Sequence, residues 1–327
     1  MRAFACPQCS SLVYFENSVC LHCGTEIGYS RTARALVRTA DGLPCANRSA
    51  AACNWLTADG GLCDCCALTR TRPADDDAEG LAAFARTEQA KRRLVYQLDD
   101  LGLPLVGRAE DPVGGLAFDL LSSAHEPVVT GHASGIVTLD LAEGDAGHRE
   151  RTRVRLAEPY RTLLGHLRHE TGHWYWEVLV DRAGRTADFR ALFGDESESY
   201  ADALERHYGS EPPAGWADAF VSTYATAHPW EDWAESFAHY LHIRDTSQTA
   251  AAFGISVRGP LAAEPEQSEK DFDAIIEAWL PLTAALNMVN RSMGHEDLYP
   301  FVLAPTVLDK LRFVHDLVVA RPGYVPA

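Results

Sequence analysis

The stretch Leu163-Leu-Gly-His-Leu-Arg-His-Glu-Thr-Gly-His-Trp-Tyr-Trp176 decides the architecture of the second half of the chain. Its apolar residues recur at helical spacing, and we expect the helix to open at Pro159. On such a helix His169 and His173 lie one turn apart on one face, with Glu170 beside them. Both imidazoles can reach one zinc ion, and the glutamate can act as a base. The pattern therefore predicts a buried helix that carries a catalytic metal site.

Two further residues of this stretch have less specific interpretations. His166 lies on the same face as His169, and we interpret it as a cleft residue or a hydrogen-bond partner rather than a ligand. Gly172 would let another backbone or a substrate approach, although tight helix packing explains a glycine as well. A hydrogen-bonded core histidine pair is the simpler alternative for the whole motif, but buried polar groups without partners are costly.

A catalytic zinc site needs a third protein ligand and one open position. Candidates come from the stretch His228-Pro-Trp-Glu-Asp-Trp-Ala-Glu-Ser-Phe-Ala-His-Tyr-Leu-His242. Pro229 and the two acidic residues after it are typical of a helix N-terminus. One face of this helix would carry four metal-ligating side chains, those of Glu231, Glu235, His239 and His242. Spacing alone does not choose the ligand among them.

The cysteines define a different kind of site, because all nine lie within the first 66 residues. Two Cys-x-x-Cys pairs come first, and their four sulfurs can converge on one structural zinc ion: Cys6, Cys9, Cys20 and Cys23. We expect a second structural zinc site from Cys45, Cys53, Cys63 and Cys66. Cys65 is then spare, and it could replace a neighbour. Segments this small bury too little apolar area to fold alone, so zinc binding would supply folding energy.

Composition excludes several classes of protein. The 327 residues include 46% hydrophobic and 23% charged residues, which is ordinary for a globular protein. The formal net charge of −17 argues against a general binder of nucleic acid or of anionic membranes. No apolar run reaches the ~18–20 residues needed to span a bilayer. No secretory signal is visible, so we expect a cytoplasmic protein whose cysteines bind metal rather than form disulfides.

The metal motif and the helix expected after Pro229 together resemble a known group of enzymes. His-Glu-x-x-His followed by an acidic, aromatic, Ala-Glu-x-Phe-Ala helix resembles the gluzincin metallopeptidases, in particular the group of anthrax lethal factor. The whole chain is similar to a bacterial family of zinc-binding metallopeptidases with an N-terminal zinc-ribbon region. The stretches that carry this similarity are the cysteine pairs at 6–23, Cys53-Asn-Trp55, Glu158-Pro-Tyr-Arg-Thr-Leu-Leu-Gly165 before the motif, His228 to Glu235, and Tyr299-Pro-Phe-Val302.

The resemblance implies a ligand set and a reaction. It makes Glu235 the third ligand after His169 and His173, with Glu231 and His239 as rivals. Because Glu235 follows His173 by 62 residues, an inserted segment of roughly residues 181–222 is expected between the helices. Peptide hydrolysis is the implied activity, in which Glu170 activates a zinc-bound water.

The donor that stabilises the oxyanion stays open between two residues. In lethal factor a tyrosine stands seven residues before the glutamate ligand, and the matching position before Glu235 is His228. Tyr224 lies one turn earlier, and we slightly favour His228. A ligating histidine usually donates its second N–H to a carboxylate, and Asp232 or Glu231 is the expected acceptor.

We therefore predict an α+β protein. The expected parts are a zinc ribbon at 1–28, a second cysteine-rich zinc module at 29–72, a linker and connecting helix at 73–102, and a mainly helical zincin-like metallopeptidase domain with a small antiparallel sheet at 103–327. The strand at 135–141 could pair with an extended substrate. The expected partners are one catalytic and two structural zinc ions, a peptide or protein substrate, and a protein recruited by the ribbons. The alternatives are a non-catalytic zinc-ribbon scaffold that binds protein or nucleic acid, and another zinc hydrolase such as an amidase.

Overall fold

The computed structural model describes residues 1–124, 127–155, 162–257 and 271–327. The expected helix start at Pro159, with the matched stretch around it at 158–161, lies outside these residues. The chain forms two compact units, Met1–Gln97 with Leu105–Arg151 and Leu98–Pro104 with Thr152–Ala327. Residues 105–151 thus belong to the first unit, whereas the sequence led us to expect them in the peptidase domain.

Short hairpins build the cysteine-rich part of the first unit. Three antiparallel pairs follow one another along the chain: β1 (Phe4–Ala5) with β2 (Leu12–Val13), β3 (Ile27–Ser30) with β4 (Ala35–Arg38), and β5 (Leu43–Pro44) with β6 (Leu56–Thr57). An aromatic cluster forms their common core, with Tyr29 and Trp55 fully buried against Phe15. Each hairpin is too short to be stable alone, which agrees with the expectation that metal supplies folding energy.

The rest of the first unit contains three helices and a four-stranded sheet. The helices are α1 (Asp64–Ala67), α2 (Ala78–Leu101) and α3 (Ala146–Arg155). The strands are β7 (Thr69–Thr71), β8 (Ala117–Leu121), β9 (Gly131–Ala133) and β10 (Ile136–Asp140), in the order β7-β8-β10-β9. The connecting helix expected within residues 73–102 is α2.

The larger sheet differs from the expected antiparallel one. β8 is parallel to both β7 and β10, and only β9 and β10 are antiparallel. Residues 131–133, just before the strand expected at 135–141, form the short strand β9. Because β10 lies between β8 and β9, both of its edges are already paired, so the prediction that it could add a substrate strand is wrong.

Helices make up the second unit over its described residues. They are α4 (Leu163–Trp176), which continues as one wider turn to Asp181, α5 (Thr186–Phe193), α6 (Tyr200–Gly209), α7 (Pro229–Ala252), α8 (Phe272–Ser292) and α9 (Pro305–Ala320). The Thr162 hydroxyl caps α4 by accepting the N–H of Gly165 at 3.0 Å. Of the described helices, α8 alone is long and apolar enough to cross a membrane, by length and composition only. The α+β class is confirmed.

The contact between α4 and α7 positions the metal motif. A Cβ atom on Gly172 would lie 3.3 Å from the Cα atom of Ala234, so the glycine permits the close approach of the two helices. The indole N–H of Trp233 donates to the Gly172 carbonyl at 2.8 Å. Both tryptophan and glycine lie in the core, where Phe237 packs against Trp233. Tight packing is therefore the role of Gly172.

Candidate metal centres

Two clusters of four cysteine sulfurs form in the first unit. The sulfurs of Cys6, Cys9, Cys20 and Cys23 lie within 4.8 Å of one another, and so do those of Cys45, Cys53, Cys63 and Cys66. Sulfur pairs in both clusters are 3.7 Å apart. Zn–S bonds of about 2.3 Å in a tetrahedron place sulfurs roughly 3.8 Å apart, so both clusters fit a zinc ion.

The two clusters differ in their surroundings. Cys23 of the first cluster is exposed, whereas all four sulfurs of the second cluster are buried. Lys91 and Arg92 of α2 are also buried, which by itself would lower the pKa of each. The charge of Glu88 is the main cause that raises the pKa of Lys91, and that of Cys53 is the main cause that raises the pKa of Arg92. Cys65 is buried outside the second cluster, and burial raises the pKa of its thiol. The structure thus brings together the four sulfurs that we expected from the sequence, and Cys65 lies outside their cluster.

A third group of metal-ligating atoms joins α4 to α7. The Nε2 atoms of His169 and His173 lie 2.9 Å and 3.4 Å from the same carboxylate oxygen, Oε2 of Glu231. All three side chains are buried, and their ligand atoms lie within 4.8 Å of one another. Two imidazoles and a carboxylate oxygen with this convergence are the donor set of a catalytic zinc site.

Glu235 does not lie with the Nε2 atoms of the two histidines, where a third metal ligand was expected. It accepts a hydrogen bond from Nδ1–H of His169 at 2.7 Å, on the side of the ring away from Nε2. Its second oxygen accepts from the Ser222 hydroxyl at 2.6 Å. The structure therefore brings Glu231 to the imidazole Nε2 atoms, and Glu235 occupies the place of the carboxylate that orients a ligating histidine.

Asp232, the other expected acceptor, faces away from this histidine. It pairs with Lys310 of α9 at 2.5 Å, and both side chains are almost fully buried. Lys310 also donates to the Ala219 carbonyl at 2.7 Å. The pair thereby joins α9 to the first turn of α7 and to the segment before it.

The electrostatics of the histidine and glutamate group favour charged forms. Burial lowers the pKa of His169, but its hydrogen bonds to Glu231 and Glu235 outweigh burial and raise the pKa well above its ordinary value. Burial opposes ionisation of both glutamates, yet the imidazoles hold the pKa of Glu231 well below its ordinary value and lower that of Glu235 to about 2. Deprotonated carboxylates are the form that binds a metal.

Glu170 projects beside this group. Its Oε1 atom lies 3.1 Å from Nε2 of His166, so His166 is a hydrogen-bond partner of Glu170, which is one of the two roles expected for it. The other oxygen, Oε2, is buried and has no hydrogen-bond partner among the residues that the structure describes. Burial raises the pKa of Glu170, but the bond to His166 and the charge of His169 lower it overall.

The two candidate donors have different surroundings. The ring of Tyr224 lies 5.8 Å from that of His169, and burial raises the pKa of its phenol. His228 is the N-cap of α7, and its Nδ1 atom accepts the N–H of Trp230 at 3.1 Å. Its Nε2–H donates to the Glu198 carbonyl at 3.3 Å. Both ring nitrogens of His228 therefore have backbone partners.

Sequence reasoning missed one residue of this site. Tyr200, the first residue of α6, donates its hydroxyl to Oε1 of Glu231 at 2.6 Å. It lies in the inserted segment, and no motif there marks it. His239, the third residue of the predicted α7 face group, instead forms a hydrogen bond with the Tyr299 hydroxyl at 2.8 Å.

The comparisons with known proteins agree with these centres. Residues 80–317 match the family described as "Putative zinc-binding metallo-peptidase", and residues 3–77 match a zinc-ribbon domain. The chain belongs to this family of zinc-binding metallopeptidases with an N-terminal zinc ribbon.

The chain is similar to mycobacterial proteins over nearly their whole length. Uncharacterized proteins of Mycobacterium tuberculosis (strain H37Rv) and Mycobacterium bovis are each 53% identical to the chain, over 100% of its length and 98% of theirs. No solved structure matches the chain.

Proposed function

We propose that this chain is a zinc-dependent peptidase in which His169, His173 and Glu231 hold the catalytic zinc ion and Glu170 is the base. The observation that carries the proposal is the convergence of three buried ligand atoms beside a buried carboxylate oxygen that lacks a partner among the described residues. A metal site that served only structure would not need Glu170 at its edge, since it is costly to bury a carboxylate oxygen that lacks a hydrogen-bond partner.

The donor set fits a zinc ion. Two imidazole nitrogens and one carboxylate leave a fourth position open, which is the pattern of catalytic rather than structural zinc sites. A zinc ion held there would act as a Lewis acid that polarises a peptide carbonyl and acidifies water. Glu235 supports the set by accepting Nδ1–H of His169, so that a zinc ion would replace the proton at Nε2.

Glu170 takes the proton of the attacking water in this proposal. Its lowered pKa keeps it ionised at neutral pH, so it is ready to accept a proton. His166 holds one of its oxygens at 3.1 Å, which leaves the other oxygen to face the reaction. The same carboxyl group then returns the proton to the leaving amine.

Tyr224 is our choice for the donor to the oxyanion. With Glu231 as the ligand, Tyr224 stands seven residues before it, which is the spacing of the tyrosine in the lethal factor group. Its raised pKa keeps the phenol protonated, as a donor must be. His228, which the sequence slightly favoured, already gives both nitrogens to backbone groups.

The two cysteine clusters would hold structural zinc ions. Each has four sulfurs at the spacing of a tetrahedral site, so a zinc ion there would have no open position for a substrate. We propose three zinc ions per chain, of which only the one on α4 and α7 takes part in hydrolysis.

A peptide-library digest tests the function. Zinc-loaded protein should cleave peptides, and Glu170→Gln should abolish cleavage while it retains the zinc content of the wild type, because the substitution removes the base and no ligand. Cleavage that persists in Glu170→Gln would refute the role of Glu170. Full zinc content with no cleavage by the wild type would favour the alternative of a zinc-ribbon scaffold.

A further inference from the structure

Helix α6 is held beside the metal-ligating group by hydrogen bonds and by ring contacts of Tyr200 and His207. Of the residues of α6, only Ala203 is buried, so the helix has little apolar anchorage of its own. The Ser199 side chain caps its first turn. Its inner side carries Tyr200 and His207, and Nδ1 of His207 lies 3.4 Å from the Thr226 hydroxyl. The position of α6 therefore depends on a few side-chain contacts, in which Tyr200 and His207 take part.

The shortest of these hydrogen bonds reaches the proposed ligand. The Tyr200 hydroxyl donates to Oε1 of Glu231 at 2.6 Å, whereas Oε2 of the same carboxylate faces His169 and His173. The two oxygens thus have separate partners. Glu231 is 1% exposed, so the structure offers water little access to replace the tyrosine.

His228 fastens the start of α6 to the start of α7. One neutral tautomer satisfies both of its contacts, because Nδ1 accepts from Trp230 while Nε2–H donates to the carbonyl of Glu198. Glu198 directly precedes the cap of α6. The ring of Tyr200 also meets the ring of His228 edge to face, with centroids 5.4 Å apart. A displaced His228 would therefore displace Tyr200 as well.

We propose that Tyr200 is a positioning residue that restricts Glu231 to coordination through one oxygen, and that His228 sets the place of Tyr200. The inference rests on the proposed function in one respect, the choice of Glu231 as a metal ligand. A carboxylate that binds through one oxygen leaves a coordination position for substrate, whereas a carboxylate released from Tyr200 is free to bind through both.

Cobalt(II) in the third site gives a direct readout. In the full chain with zinc in both cysteine clusters, cobalt bound by imidazole and carboxylate lacks the intense charge-transfer band of cobalt thiolates. Its visible absorbance falls when the coordination number rises from four to five. We expect Tyr200→Phe to bind cobalt 10–100-fold more weakly, as is usual for loss of a hydrogen bond to a ligand, and to show the weaker absorbance.

Two variants complete the design. Tyr208→Phe is the matched control, since Tyr208 lies on the same helix but is 66% exposed, and it should leave affinity and spectrum unchanged. His228→Asn keeps a good helix cap but is too short to reach Glu198, so it should change the spectrum in the same direction with α7 intact. Wild-type affinity and spectrum in Tyr200→Phe would overturn the proposal. If Tyr200→Phe fails to fold, a wild-type spectrum in His228→Asn overturns it.

Failure of this proposal can be told from failure of the proposed function. Cobalt binding is measured without substrate, so a wild type that binds cobalt but cleaves nothing refutes the peptidase and leaves the role of Tyr200 standing. Conversely, cobalt retained at full affinity by Glu231→Ala refutes the ligand assignment, and the role of Tyr200 is then refuted with it.

Discussion

Replacement of each of the two glutamates of α7 by glutamine, one at a time, tells a metal ligand from a residue that orients a ligand. Glu231 and Glu235 lie one turn apart, and both touch His169, yet on opposite sides of its ring. Substitution by glutamine keeps the size of each side chain and removes its charge. We therefore predict that Glu231→Gln loses the third metal ion on dialysis, whereas Glu235→Gln keeps it with reduced affinity.

The expected size of the second effect follows from the charge that is removed. Glu235 accepts a 2.7 Å hydrogen bond from Nδ1–H of His169, and mutation of such a partner typically weakens metal affinity 10–100-fold. At about 1.4 kcal/mol per tenfold change, this is about 1.4–2.8 kcal/mol. Loss of Glu231 costs more, because it removes an anionic ligand from a buried site and leaves only two imidazoles.

The assay is metal content after dialysis against buffered zinc, with competition by a chelator to obtain affinities. Wild type should retain three zinc ions, Glu235→Gln three at high free zinc and fewer at low free zinc, and Glu231→Gln two throughout. The opposite order, with Glu235→Gln lacking the third ion and Glu231→Gln retaining it, would refute the assignment and restore the ligand that the sequence suggested.

Three further predictions concern the surroundings of these sites. Lys310→Met should lower the free energy of unfolding by about 3–5 kcal/mol in urea, because it leaves Asp232 buried without its cation. The double variant Lys310→Met/Asp232→Asn should recover much of this loss. Equal stability of the single and the double variant would contradict the prediction. Burial lowers the pKa of His239 to about 4, so below pH 6.5 this histidine binds a proton in the unfolded chain but not in the folded one. Its contribution to the free energy of unfolding is therefore full above pH 6.5 and is lost as the pH falls toward 4. At pH 5 this costs about 2 kcal/mol, and His239→Gln should lose correspondingly less stability between pH 7 and pH 5; an unchanged pH dependence would disprove it. Cys65→Ala should retain full zinc content while Cys66→Ala loses one ion, and the reverse result would exchange their roles.

Local patterns carried most of what the sequence could predict about the metal centres. A Cys-x-x-Cys turn brings its two sulfurs together, and a helix brings His169 and His173 together, whatever the rest of the chain does. The same holds for the cap and first turn of α7, which Pro229 and the acidic residues marked. These features depend on residues fewer than five positions apart.

The choice between Glu231 and Glu235 depends instead on packing. Both lie on the same face of α7, and the rotation of that helix against α4 decides which one meets the Nε2 atoms. The close approach of Gly172 to Ala234 and the hydrogen bond from Trp233 fix this rotation. A sequence shows that a glycine is present but not which residue of another helix it admits.

The contact of Tyr200 with Glu231 and the parallel pairing of β8 with β10 were not predicted, and both depend on packing as well. Tyr200 reaches Glu231 across 31 residues, and its segment has no periodic metal-ligating pattern. The short strand β9 has three residues, too few for a pattern, and without it β8 and β10 look like an antiparallel pair. Both features are set by contacts between distant parts of the chain.

Anomalous scattering at the zinc absorption edge, recorded from crystals of the zinc-loaded protein, tests the central claim most directly. The account predicts three peaks per chain, two within the cysteine clusters and the third bonded to Nε2 of His169, Nε2 of His173 and Oε2 of Glu231. Two peaks only, or a third peak bonded to Glu235 in place of Glu231, would contradict it.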